Sequence, residues 1–284
     1  MTGQVIDTLL CNCQSRAMKK TMNVSSARVV AVGMQLRELR RRAGLSQSAL
    51  ALQSGISQRY LSCIETGRAR PAPATLHALF TALDTPLAER NAGFLAAGHA
   101  PRYAALPLSD PSMALVRSAI GHVLKANNPA PAIVIDSGWQ VLAANTATAA
   151  LFALMGLPVD SAGGGFNLLH TLLAPGGLGD YLVNPEEIRA VAWQRASREA
   201  LQDAGLASLL ATLPTPGDMA AMADGAISPL LLTRLRSLQG ELRFLSTFTT
   251  FGMPQDITVA SLRIEHLIPA DEATWQTMTA ACAA

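Results

Sequence analysis

The stretch LSQSALALQSGISQRYLSCIETG, from Leu45 to Gly67, constrains the chain more than any other. Two short runs, each led by a serine that can cap a helix, flank Gly55, a residue suited to the left-handed turn that ends one. Ala49, Leu50 and Leu52 form the inner face of the first run, and Leu61 and Ile64 that of the second. Ahead of them, VVAVGMQLRELRRRAG spaces Val32, Leu36 and Leu39 helically, with Arg37, Arg40, Arg41 and Arg42 on the other faces and Gly44 at the end. Behind them, ETGRARPAP breaks regularity before TLHALFTAL and PLAERNAGFLAAG supply a fourth and a fifth helix, with Pro86 fitting the first turn of the last. The pattern predicts one small five-helix, all-α domain over residues 28–98.

Charge separates this domain from the rest. Residues 1–103 carry 13 Lys or Arg against 5 Asp or Glu, a balance of +8, and residues 104–284 carry 9 against 15, a balance of −6. A basic module joined to an acidic one fits a nucleic-acid binder attached to something that need not touch phosphate. Residues 1–27 read as a disordered tail, and HAPRYAALPLSDP, with three prolines, as a linker over 99–111. The remaining module spans 112–284.

That module opens with a helix over Ser112–Lys125. PAIVIDSGWQVLAAN then reads as strand, Asp-Ser-Gly turn and strand, and helices are expected over Asn145–Met155, within FNLLHTLLAP, and from Asn184, with Ile188, Val191, Ala192 and Leu201 as packing positions. LLLTRLRSL and ELRFLSTFTTF flank Gln239–Gly240 as a hairpin, DITVASLRIEHLI supplies a further strand, and PADEATWQTM a terminal helix. The order predicts an α+β domain with an antiparallel sheet.

Two helices held at this spacing place the second in a major groove, with Gln58, Arg59, Ser62 and Cys63 projecting outward. Glutamine pairs bidentately with adenine and arginine with guanine, so Gln58 and Arg59 are the best base readers. Gln47 and Ser46 at one helix start, with Ser57 at the other, can meet phosphate, and Arg40, Arg41, Arg42, Arg68 and Arg70 supply a salt-dependent attraction. Glu65 is expected to cap or salt-bridge the domain.

LRELRRRAGLSQSALALQSGISQRYLSCIETGRARPAPATLHALFTAL resembles the Cro/C1-type (XRE family) helix-turn-helix domain, whose fold is lambda-repressor-like. The resemblance implies double-stranded DNA as partner, a phosphate contact from Gln47, base contacts from Gln58 and Arg59, and a further position at Cys63, where cysteine replaces the common polar residue. Residues 108–279 resemble the ligand-binding domain of MmyB-like regulators, a PAS-like fold, through PAIVIDSGWQVLAAN, FNLLH, the Glu187–Glu199 helix and FLSTFTTFGMPQDITVASLRIEHLIPAD. This implies a multidomain regulator that senses a fatty acid or similar apolar molecule.

Half of the chain is hydrophobic and 15% is Asp, Glu, Lys or Arg, enough apolar material for a core and a small pocket. Trp139, Phe152, Phe166, Trp193, Phe244, Phe248 and Phe251 are candidate walls. Asn145, His170, Arg195, Thr247 and Thr250 are candidates to orient a ligand's polar group. A homodimer is expected because one short recognition helix reads few base pairs. The alternative for the second module is dimerisation or protein interaction alone.

Catalysis is not expected. The five histidines make no H-x-x-x-H pair, Ser246 lies in no G-x-S-x-G turn, and adjacent strand residues Glu265 and His266 point to opposite faces. No cofactor or metal is expected. The four cysteines, with Cys11 and Cys13 one residue apart, fit a reduced cytoplasmic chain better than a disulfide framework, and no apolar run reaches the length of a membrane span.

Overall fold

The computed structural model describes residues 30–157, 165–201, 203–217 and 230–283. The expected tail over 1–27 lies outside them. The chain divides into two units, one holding the described residues up to Ala105 with Gln255–Ile257, the other holding the remainder.

The N-terminal unit is all-α. Helix α1 covers residues 30–42, followed by α2 (Gln47–Gln53), α3 (Gln58–Glu65), α4 (Pro73–Ala82) and α5 (Leu87–Ala96). The predicted inner faces close into one core of Val32, Leu36, Leu50, Leu61, Ile64, Leu76, Leu79, Phe80 and Phe94. Leu52 departs from the expectation and is 84% exposed; Ala51 is buried in its place. Tyr103, within the expected linker, packs into this core. Pro86 is the N-cap of α5 instead of a first-turn residue. Gly33 lets α1 press on α3, since a Cβ there would stand 2.3 Å from the Ile64 carbonyl oxygen.

The second unit is α+β. After a 3₁₀ turn come α6 (Ala114–Ala126), β1 (Ala132–Ile135), β2 (Val141–Ala144), α7 (Thr146–Leu154), α8 (Leu168–Leu173), α9 (Pro185–Glu199) and α10 (Ala204–Leu210). The hairpin β3 (Leu232–Ser237) and β4 (Gly240–Thr249) follows, then α11 (Ile257–Ser261), β5 (Arg263–Pro269) and α12 (Glu272–Ala283). The five strands form one antiparallel sheet in the order β2-β1-β5-β4-β3, so β5 joins the two hairpins.

Two expectations need correction. DITVASLRIEHLI is not one strand: its first part turns as α11 before β5 begins at Arg263. In α9 the buried residues are Ala190, Ala192 and Ala196, whereas Val191 is 43% and Leu201 86% exposed, because the helix meets its neighbours through small side chains.

Asn145 is the polar keystone of this unit. Its Oδ1 accepts from the Ala132 and Thr148 amides, and its Nδ2 donates to the Leu124 and Ala130 carbonyls. One side chain thus caps α7 and ties it to β1 and to the end of α6.

Candidate nucleic-acid interface and ligand cavity

Local chemistry fixes the α2–α3 pair. Ser46 Oγ accepts the Ala49 amide, and Ser57 Oγ accepts the Tyr60 amide; such caps stabilise a helix by about 1 kcal/mol each. Gly55 takes φ +68, and the Ile56 amide returns to the Ala51 carbonyl, a glycine-dependent helix end. Leu61 and Ile64 bury one side of α3. The opposite side presents Gln58 and Arg59 exposed, with Ser62 and Cys63 half-buried beside them, and Ser57 exposed at the start.

Glu65 locks this pair from beneath, as its expected salt-bridging role requires. Arg40 Nε and Nη2 meet its two carboxylate oxygens at 2.6 and 3.0 Å, and Gln47 Nε2 donates to Oε2 at 2.8 Å. Arg40 also donates to the Leu45 carbonyl, so α1, α2 and α3 share one buried ion pair. Burial opposes the Glu65 charge, yet hydrogen bonds from Arg40 and Gln47 outweigh it and hold the carboxyl below its ordinary pKa.

This removes Arg40 from the expected phosphate-facing group, because its guanidinium is turned inward. Arg70 leaves it for a similar reason: it donates to the Ala97 and Gly98 carbonyls at the end of α5. Arg41 and Arg42 are exposed at the end of α1. Arg68 is exposed and steadied by the Thr66 hydroxyl at 2.9 Å.

In the second unit a cavity of about 120 Å³ lies between the sheet and α7–α9. Its wall is largely aliphatic, with Ile133, Leu151, Met155, Leu172 and Leu267, and two of the predicted aromatics, Phe152 and Phe166. Those rings stand 6.3 Å apart. The other predicted ligand contacts do not line it. Phe244 is fully buried in the core, Asn145 is consumed by its cap, His170 is exposed on α8, and Trp193 packs beside α10.

Trp139 and Arg195 instead join a polar cluster with Glu199 and Arg263. The Trp139 indole donates to Glu199 at 2.8 Å, Arg263 also pairs with Glu199, and the Arg195 guanidinium lies 4.6 Å from the ring centre of Phe248. Trp139 takes φ +64, a conformation costly for a bulky side chain, and its anchored indole compensates.

The aliphatic wall residues escaped the sequence reading of the pocket, and so did a charged one. Glu265 pairs with Ile133 across β1 and β5 and points into the cavity, whereas His266 faces Asn127 and Thr249, each at 3.0 Å. The opposite-face expectation for these neighbours holds. The available signal was a carboxylate on the strand face shared with Leu267, where alternation calls for apolar residues.

Residues 116–280, more than half of the chain, match the family described as the MmyB-like transcription regulator ligand binding domain. The chain belongs to that family. Residues 31–93 match a helix-turn-helix domain. Among curated proteins, 52 residues are 46% identical to an uncharacterized HTH-type transcriptional regulator, y4dJ, of Sinorhizobium fredii, covering 18% of this chain and 68% of that one. A second match, RghRB of Bacillus subtilis, also an uncharacterized HTH-type regulator, is 47% identical over 68 residues; it covers 24% of this chain and 47% of that protein's length. Among solved structures, the restriction-modification controller protein C.AhdI of Aeromonas hydrophila is 39% identical over 22% of this chain and 94% of its own, with a TM-score of 0.21.

The protein is therefore a DNA-binding regulator with a separate C-terminal domain of ligand-binding type. Among the described residues no group of His, Cys, Asp and Glu could hold a metal ion, and no helix is long and apolar enough to cross a membrane.

Proposed function

We propose that the chain is a sequence-specific transcription regulator of the Cro/C1 type that binds duplex DNA as a two-fold dimer and changes operator affinity when its C-terminal, PAS-like domain takes up a small apolar molecule. The observation that carries this reading is the outer side of α3. Gln58, Arg59, Ser62 and Cys63 stand there together, none of their side chains engaged within the chain among the described residues, while the other side is buried. A helix so presented suits a major groove, with Gln58 reading adenine and Arg59 guanine. Gln47 and Ser57 at the two helix starts, with Arg41 and Arg68 flanking, suit phosphate contacts. The cavity supports the sensory half, since a largely apolar space left against a packed core forfeits contacts unless something fills it.

Competition binding across operator variants tests the DNA half. Gln58→Ala and Arg59→Ala each relax base preference at one position and cost about 1–3 kcal/mol. Arg41→Ala weakens all duplexes alike and lowers the salt slope by about 1. Unchanged binding to every duplex after the first two substitutions removes α3 as the reading element. Native mass spectrometry tests the sensory half: a clean dimer with no extractable passenger favours a purely dimerising domain.

A further inference from the structure

Residues 99–111 read as a linker in the sequence, yet most of them are held by one unit or the other. His99 Nε2 donates to the Pro71 carbonyl at 2.9 Å, and the His99 amide to the Phe94 carbonyl at 2.8 Å. Asn91 on α5 then grips the backbone three times. Its Oδ1 accepts from the Arg102 and Tyr103 amides at 2.9 and 3.0 Å, and its Nδ2 donates to the Tyr103 carbonyl at 2.7 Å. The Tyr103 side chain is buried in the helical core, with its hydroxyl 3.1 Å from His77 Nδ1. At the other end, Leu108 packs against the cluster of Ile120 and Leu124, and Arg117 Nη1 donates to the Asp110 carbonyl at 2.7 Å and to that of Leu108.

Between the two clamps lie only Ala104–Pro107, so the tether is four residues at most. Fully extended, the chain from Tyr103 to Leu108 spans about 18 Å, against about 50 Å from Gly98 to Ser112 had the whole stretch been free. The difference bears on the two-fold dimer proposed above, on which the assignment below rests. Inserting about five base pairs between half-sites moves one of them about 17 Å along the duplex, half a turn, and to its opposite face. A free linker absorbs both displacements. A tether of about 18 Å is taut after the first and has nothing left for the second.

We propose that residues 99–103 are a docked strap of the DNA-binding unit, clamped by Asn91, and that the short tether it leaves makes half-site spacing a determinant of operator choice. Trypsin cleavage after Arg102 in the full chain reads the strap, because an exposed arginine in docked backbone is cut only when that backbone opens. The fragment beginning at Tyr103 forms slowly from the unaltered protein and at least about tenfold faster from Asn91→Ala, which loses three hydrogen bonds to the strap. Equal rates overturn the strap. Competition binding reads the tether, on an inverted-repeat duplex obtained by selection from random sequence. Adding about five base pairs between its half-sites weakens binding of the unaltered protein at least about tenfold. A Gly-Ser-Gly-Ser-Gly-Ser insertion between Ala105 and Leu106 narrows that loss to within about threefold and leaves binding to an isolated half-site unchanged. An unaltered protein indifferent to spacing, or a spacing penalty that the insertion leaves intact, overturns the role of the tether while leaving the dimer in place. Selection that yields only single half-sites overturns the dimeric reading, and the spacing role falls with it; the cleavage rates at Arg102 do not depend on that outcome.

Discussion

Replacing Glu65 by alanine tests what holds the reading helix in place. The Glu65 side chain is 1% exposed and the Arg40 side chain 11%, and the pair is bidentate. Removing the carboxylate leaves Arg40 buried with only the Leu45 carbonyl for company. Breaking one side of a buried pair costs about 3–5 kcal/mol, and the surviving carbonyl contact places the expected loss at about 3 kcal/mol. The double variant Arg40→Met with Glu65→Leu removes both charges and restores apolar volume, so its loss is about 1 kcal/mol. Native-state hydrogen exchange at the Leu61 and Ile64 amides reads the opening free energy of this region within the full chain. DNA affinity falls in both variants, because Gln47 loses its acceptor on Glu65. A loss below about 1 kcal/mol for Glu65→Ala, or a double variant as unstable as the single, would refute the idea that this pair fixes α1, α2 and α3 together. The same pair sets an acid limit. With its folded pKa depressed, Glu65 contributes stability that is present above its ordinary value of 4.5 and lost as pH falls through the folded value.

Three further perturbations address other joints. Asn145→Ala leaves the Ala132 amide and the Ala130 carbonyl without their side-chain partner, and urea unfolding shows a loss of about 2–4 kcal/mol in the second unit. His266 is held neutral by burial, which lowers its pKa against the raising influence of Glu265, so stability of the second unit falls as pH drops from 6.5 towards the folded value. The three tryptophans, 139, 193 and 275, all lie in that unit and report it by fluorescence, and the dependence is absent in His266→Gln. Gly33→Ala forces α1 away from the Ile64 carbonyl and costs about 1–3 kcal/mol by thermal denaturation, with weaker DNA binding because α3 moves.

The helical half was legible because each of its rules is local. Ser46, Gly55 and Ser57 declare helix ends within one turn of the chain, and Leu36, Leu50, Leu61 and Ile64 repeat at helical spacing. What stayed hidden was the fate of long side chains. Arg40 and Arg41 are neighbours in a run of three arginines, and only the position of Glu65, 25 residues beyond Arg40, decides that one turns inward. The cavity was harder to read for a related reason. Aromatics advertise a pocket, but the wall here is built from aliphatic residues on β1, β5, α7, α8 and α9, brought together by a sheet whose order does not follow the sequence. Phe152 lines it from α7 and Phe166 from just before α8; Phe244 on β4 was absorbed by the core, although Thr233 and Leu235 of the paired β3 reach the wall.

Any occupant of the cavity regulates only through a difference in its affinity for DNA-bound and DNA-free protein. The best very small ligands gain ~1.5 kcal/mol per non-hydrogen atom, so even a small occupant has several kcal/mol of binding free energy. A coupling of about 1–3 kcal/mol uses only part of that and changes operator affinity by about 5- to 150-fold. Coupling is one free energy seen from two sides, so operator DNA must change the ligand's affinity by the same factor and in the same sense. Fluorescence anisotropy of labelled operator, with and without saturating ligand, gives the first factor; ligand titration with and without saturating operator gives the second. Equal factors well above one establish that the cavity and the α3 surface bias a shared equilibrium. Factors equal to one would mean that the cavity fills without informing DNA binding, and the C-terminal domain would then have to act through its interactions with other chains.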